Sequence, residues 1–192
     1  MAGEQELESV PFSPKELAKQ AEALRTRGNI GIAFTYNEPL VGYEYVRDTA
    51  REVRKRGMKN ILVTNGAFTE ETEDAVLSYI DAMNIDLKGF TESYYKKLGG
   101  DLETVKAFIE KAVKVCHVEL TTLVVPGEND SVSEMQNLAK WTASLSCEIP
   151  LHVTRFFPRW KMQDREVADV RKVYRLAEEA GKYLNYVYTG NC

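Results

Sequence analysis

The sequence is short of the residues that staple small folds or hold metals. It has three cysteines, Cys116, Cys147 and Cys192, and two histidines among 192 residues. An odd number of widely spaced cysteines is neither a disulfide framework nor a local metal motif, so reduced, buried thiols are expected. No apolar run approaches the roughly 18 residues of a membrane span. The acidic start, Met1 to Glu8, lacks the basic flank and apolar core of a signal peptide. The chain is therefore expected to be soluble and cytoplasmic. Neither charge dominates: 25 Lys and Arg face 29 Asp and Glu, a net charge of −4. That balance leaves no broad footprint for nucleic acid or an anionic membrane. The densest basic stretch, Arg51 to Lys55, reads as a solvated helix end that complements the helix dipole.

What is present is a globular composition, 44% hydrophobic and 28% charged, on a chain long enough to bury a core without staples. Residues 1–12 read as a loose segment and 13–192 as a single domain. Helical and strand patterns alternate. Ser13-Pro14-Lys15-Glu16 is a capping box with proline at the first helical position, and the helix it opens stops at Gly28. Strands are expected at 30–35, 61–64, 83–88, 117–125, 151–157 and 185–189. Helices are expected at 40–56, 69–80, 101–115, 131–141 and 164–180, with a second capping box at Ser131 to Glu134. Strands separated by helices of this length imply βαβ units and a parallel sheet.

The strands alternate instead of running continuously apolar. Asn84, Asp86 and Lys88 share one face, against Met83, Ile85 and Leu87. Glu119 and Thr121 share a face, as do His152 and Thr154. A sheet packed by helices on both faces would not do this. A partial (β/α) TIM-like barrel, with parallel strands, outer helices and a polar lumen, fits better than a filled one. Asp86 and Lys88 can neutralise each other or grip a zwitterionic ligand. Four strand ends carry polar or turn-forming runs: Thr35 to Pro39, Thr64-Asn65-Gly66, Asp86 to Gly89, and Val124 to Gly127. The C-terminal rim is where parallel α/β folds bind ligands. Glu38, before a proline, is held extended, so its backbone can face an ammonium group.

The order Tyr36-Asn37-Glu38-Pro39, Val63-Thr64-Asn65-Gly66, Asp86-Leu87-Lys88, Val124-Val125-Pro126-Gly127 resembles the radical S-adenosylmethionine superfamily. The resemblance is to the pyruvate formate-lyase activating enzyme branch and its AmmeMemoRadiSam-type subfamily, and it runs from about Val10 to Asn191. It implies that Asn37 and Glu38 lie in the motif that binds the methionine amino group. Thr64 and Asn65 then fall near the methionyl part. Asp86 and Lys88 hold ribose and carboxylate, and the backbone at Val125 meets adenine. Phe157 stands where relatives tend to have histidine. The family's Cys-x-x-x-Cys-x-x-Cys motif, which holds a 4Fe–4S cluster, is absent, and so is the strand before it. Cys116 and Cys147 fall in helix-to-strand connections at the opposite rim, and only Cys192 follows a strand end.

The expectation is an S-adenosylmethionine-binding core of a glycyl-radical-activating-type enzyme, truncated at its start and without a cluster unless the upstream cysteine segment is supplied. Its partner would be a glycyl-radical-type protein or a small-molecule substrate, with no metal or catalytic residue of its own. A non-catalytic binding module is the alternative, with self-association through an exposed edge strand at 30–35. A Schiff-base lyase using Lys88 is the third reading; Asp86 beside it favours the ammonium over the neutral amine that a nucleophile needs. Gly99-Gly100 before Asp101 reads as a turn and cap, and Tyr94 and Tyr95 as packing residues.

Overall fold

The computed structural model describes residues 10–192; Met1 to Ser9, most of the segment expected to be loose, lie outside the described residues. The described chain divides into two compact units. One runs to Thr64 and adds Phe68–Asn84 and Lys114–His117. The other comprises Asn65–Ala67, Ile85–Val113 and Val118–Cys192.

The first unit opens with α1, Pro14–Ala23. Its capping box is complete: the Ser13 hydroxyl accepts from Glu16 N–H, and Ser13 N–H donates to the Glu16 carboxylate at 2.9 Å. This satisfies helix-end donors that would otherwise be orphaned. Then follow β1 (Gly31–Phe34), α2 (Tyr43–Lys55), β2 (Lys59–Thr64), α3 (Glu70–Val76) and the start of β3 (Ala82–Asp86). β1 and β2 are parallel, with Gly31 opposite Lys59 and Phe34 opposite Leu62. The α2 residues Val46, Ala50 and Val53 are buried at helical spacing. Asn60 is a buried clip: its amide donates to Ala50 C=O and Tyr79 C=O, both at 3.0 Å. It ties β2 to α2 and to the turn that ends α3.

The second unit contains α4 (Glu92–Lys97), α5 (Leu102–Ala112), β4 (His117–Val124, from Val118 on), α6 (Val132–Leu145), β5 (Leu151–Arg155), α7 (Val170–Ala180) and β6 (Val187–Gly190). β4 pairs with β5 and β5 with β6, all parallel. α7 packs on β5, β6 and α6. The buried strand face carries Val118, Leu120, Val124, Leu151 and Val153, with Phe108 and Ile109 of α5 also in the core.

The sheet order is sequential, β1 to β6. The expected open, parallel β/α architecture is therefore present, and right-handed crossovers in a sequential sheet put the helices on one face. No described helix is long and apolar enough to cross a membrane.

Several local features differ from expectation. β3 stops at Asp86 rather than Lys88, because Leu87 N–H turns back to Ile85 C=O at 3.1 Å, a γ-type turn that ends the pairing. α4 was not expected; at six residues its periodicity is too brief to read. The last helix begins at Val170, not near 164, because Asp169 is the side chain that caps it, accepting from Arg171 N–H at 2.9 Å. At Ser131 the capping box is half made. Ser131 Oγ accepts from Glu134 N–H at 3.2 Å, but the Glu134 carboxylate turns elsewhere.

Candidate functional site

In the first unit, Glu38 and Thr64 meet. Thr64 Oγ1 donates to the Glu38 carboxylate at 2.9 Å, and Leu40 N–H donates to the same oxygen at 3.2 Å. Glu38 thus caps the 3₁₀ turn that Pro39 opens, and its carboxylate is engaged within the protein. Glu38 is extended at φ −137°, ψ 105°, as expected of a residue before proline. Asn37 is exposed.

In the second unit, Asn65, Lys88 and Val125 line one cavity of about 410 Å³, together with Tyr95, Phe156 and Met162. That volume is in the range that holds a small ligand. Asp86 forms an ion pair with Lys88 Nζ. The approach of these segments depends on two glycines. In the Asn65-Gly66 turn, Asn65 Oδ1 accepts from Ala67 N–H at 2.9 Å. Gly66 has φ +68°, and a Cβ there would meet Ile85 and Phe108 at 3.1 and 3.2 Å. At Gly89 a Cβ would lie 2.7 Å from the Tyr94 ring and 3.0 Å from the Glu134 carboxylate.

Three residues that sequence reading did not assign to a site organise this cavity. Asn129 is 2% exposed. Its Oδ1 accepts from Val125 N–H at 2.7 Å, and its Nδ2 donates to Lys88 C=O at 2.6 Å and Leu123 C=O at 2.8 Å. One amide therefore joins the end of β4 to the loop after β3. Tyr95, a packing residue as expected, also accepts from Lys88 N–H at 3.1 Å through its phenol oxygen. Burial pushes that phenol up to about 12. Glu134 accepts from Phe90 N–H at 2.7 Å; burial raises its carboxyl above the usual range, with Asp130 adding to the effect. The one sequence signal for Asn129 was the loop motif Val124 to Gly127 that precedes it.

The polar strand face is also real. His152 Nε2 lies 2.7 Å from the Glu119 carboxylate, and the His152 ring lies 5.4 Å from the Tyr188 ring. Leu123 of β4 and Phe156, the residue after β5, both line the cavity.

Residues 3–141 match the family model of the radical S-adenosylmethionine superfamily. The chain belongs to that superfamily. An uncharacterised protein of Methanocaldococcus jannaschii is 38% identical over 166 residues, covering 84% of this chain and 49% of that protein. A pyruvate formate-lyase 1-activating enzyme of Escherichia coli is 28% identical over 138 residues, covering 68% of this chain and 54% of the enzyme. The crystal structure of a domain of a pyruvate-formate lyase-activating enzyme from Bacteroides vulgatus superposes with a TM-score of 0.71. It is 17% identical, and the match covers 84% of this chain and 99% of that one. The chain spans about half the length of these two curated relatives.

The superfamily implies S-adenosylmethionine and a 4Fe–4S cluster. The cavity chemistry suits the first: a lysine for a carboxylate, an apolar and aromatic wall for a base. The donor set does not suit the second. Burial pushes the Cys116 thiol up to about 11, far from a thiolate ligand. Cys147 and Cys192 are exposed, contrary to the expectation of buried thiols, because they lie in surface connections at chain and helix ends. Among the described residues, no three His, Cys, Asp or Glu side chains are placed to hold a metal.

Proposed function

We propose that this chain is the S-adenosylmethionine-binding core of a radical enzyme of the pyruvate formate-lyase-activating type, and that it binds the cofactor without cleaving it. The observation that carries the reading is the convergence of Asn65, Lys88 and Val125 on one cavity, with Asp86 paired to Lys88. Lys88 attracts the methionine carboxylate by a charge-assisted hydrogen bond. Asp86 serves the ribose hydroxyls. The backbone at Val125, held by Asn129, meets the adenine beside Phe156 and Met162. In the first unit, the extended backbone at Glu38 has the chemistry to meet an ammonium group, with the Glu38 side chain engaged by Thr64. The reading takes 13–192 as one domain of a cytoplasmic protein.

With a reduced cluster beside it, S-adenosylmethionine would supply radical chemistry. The cysteines of these 192 residues do not converge on a cluster, so that chemistry needs a Cys-x-x-x-Cys-x-x-Cys segment they do not contain. With it, the partner is a glycyl-radical-type protein or a small molecule. Without it, the same cavity makes a non-catalytic binding module, for which β1, at one end of the sheet order, offers an edge for self-association. The Schiff-base reading loses ground to the Lys88–Asp86 ion pair, which already engages the amine.

The test is calorimetric titration with S-adenosylmethionine and S-adenosylhomocysteine. Wild type should bind both, and Lys88→Ala should weaken S-adenosylmethionine binding by about tenfold or more, the loss of one charged hydrogen bond. No heat from wild type at millimolar ligand overturns the binding reading. A stable cluster and 5′-deoxyadenosine after anaerobic iron–sulfur reconstitution would overturn the claim that the chain does not cleave the cofactor.

A further inference from the structure

Glu128 follows the Pro126-Gly127 turn, and its carboxylate gathers two cations from distant parts of the second unit. Lys97 Nζ donates at 2.8 Å and Arg165 Nη2 at 2.7 Å. The three side chains sit on three different segments. Lys97 is the last residue of α4, Glu128 belongs to the loop after β4, and Arg165 lies between β5 and α7. Each is within three residues of the cavity wall: Leu98 follows Lys97, Val125 precedes Glu128, and Met162 precedes Arg165. The Glu128 side chain is only 12% exposed, whereas that of Lys97 is 64% exposed. The shared anion is thus the shielded member. Lys97 and Arg165 hold its carboxyl below the usual range.

The segment that Arg165 belongs to is a loop with a closed base. Ala168 N–H donates to Phe156 C=O at 3.1 Å, and Arg155 Nε donates to Ala168 C=O at 2.7 Å. Residues 157–167 between these bonds form an Ω-type loop. The loop carries Trp160, 70% exposed and at φ +50°, a left-handed conformation that disfavours a bulky side chain. Its base is fixed, its middle is strained, and its far side is tied down through Arg165.

We infer that Glu128 is a positioning residue for the cavity: one carboxylate fixes three wall segments, and freeing Arg165 lets loop 157–167 move off and open the Met162 wall. An anion between two cations strengthens both contacts. Its removal leaves Lys97 and Arg165 to repel each other across the vacated spot. The ligand named in the test rests on the function proposed above; the latch is a property of the unliganded chain.

Two measurements separate them. Trypsin cleavage after Lys161, inside the loop, reports the latch without ligand, and S-adenosylhomocysteine calorimetry reports the cavity. E128Q should be cut at least fivefold faster than wild type, with a several-fold higher dissociation constant. Raising salt from about 0.05 to 0.5 M should speed cleavage of wild type, whose ion pairs it weakens, and should not speed cleavage of E128Q, where it screens only the repulsion between Lys97 and Arg165. R165Q keeps the Lys161 site and should match E128Q, and the double variant should be no faster than either single. R165Q alone decides the matter if E128Q fails to fold. Cleavage of R165Q at the wild-type rate, or effects that multiply in the double variant, would overturn the latch. Faster cleavage with no ligand binding by wild type would sustain the latch and overturn the cofactor reading instead.

Discussion

Asn129→Ala removes three hydrogen bonds at one buried point, and the cost follows from what each partner loses. Val125 N–H, on a residue 3% exposed, loses its acceptor. A buried donor left unpaired costs about 1–3 kcal/mol. The carbonyls of Lys88 and Leu123 lose donors at 2.6 and 2.8 Å; each carbonyl can recover part of the loss through its second lone pair or water, so together they add about 1–2 kcal/mol. The expected total is about 2–5 kcal/mol, a large share of the 5–15 kcal/mol typical of a domain. Asn129→Asp should be at least as harmful at neutral pH. It keeps the acceptor for Val125 N–H but turns a carboxylate oxygen toward two carbonyls, and it should recover as acid protonates the new group. Urea unfolding followed by circular dichroism measures both. A loss below about 1 kcal/mol for the alanine variant would show that this amide is not the clamp described here.

Three other outcomes are expected. Because burial raises the folded-state pKa of Glu134 above its ordinary value near 4.5, its favourable contribution is full below that value and is lost as pH rises through the folded one. Glu134→Gln keeps an acceptor for Phe90 N–H, so at pH 8 it should equal or exceed wild type in stability. Glu134→Ala should cost about 1–3 kcal/mol, and equal losses in both variants would contradict the assignment. With its thiol near 11, Cys116 should react with iodoacetamide at pH 8 at least tenfold more slowly than exposed Cys147 and Cys192. Peptide mapping reads this, and equal labelling would count against the burial of Cys116. Phe108→Ala, at a side chain 0% exposed, should cost about 3–5 kcal/mol by leaving a cavity; a thermal-melt change equivalent to less than 2 kcal/mol would mean that α5 is not core.

The order of strands and helices, the polar strand face and the run of strand-end motifs were legible because local physics carries them. Ser13 and Glu16 cap α1 within one turn, and Glu38 is extended because a proline follows it. Alternate residues of a strand face opposite ways whatever packs above them, so Glu119 and His152 could be placed on one polar face before their contact was known. The Ser131–Glu134 pair shows where local logic stops. Its spacing is that of a capping box, yet the Glu134 carboxylate goes to Phe90, 44 residues away.

What the amino-acid sequence determined by itself was the alternation of elements and the kinds of residue at the strand ends, since both depend on neighbours within a few positions. Only the tertiary structure decided how Lys88, Val125 and Met162 come to share a cavity wall. Asn129 reaches Lys88 across 41 residues and Glu128 reaches Arg165 across 37. Hydrogen bonds and ion pairs of that span have no periodicity to read. They exist only once the sheet has brought the ends of separate strands and loops together.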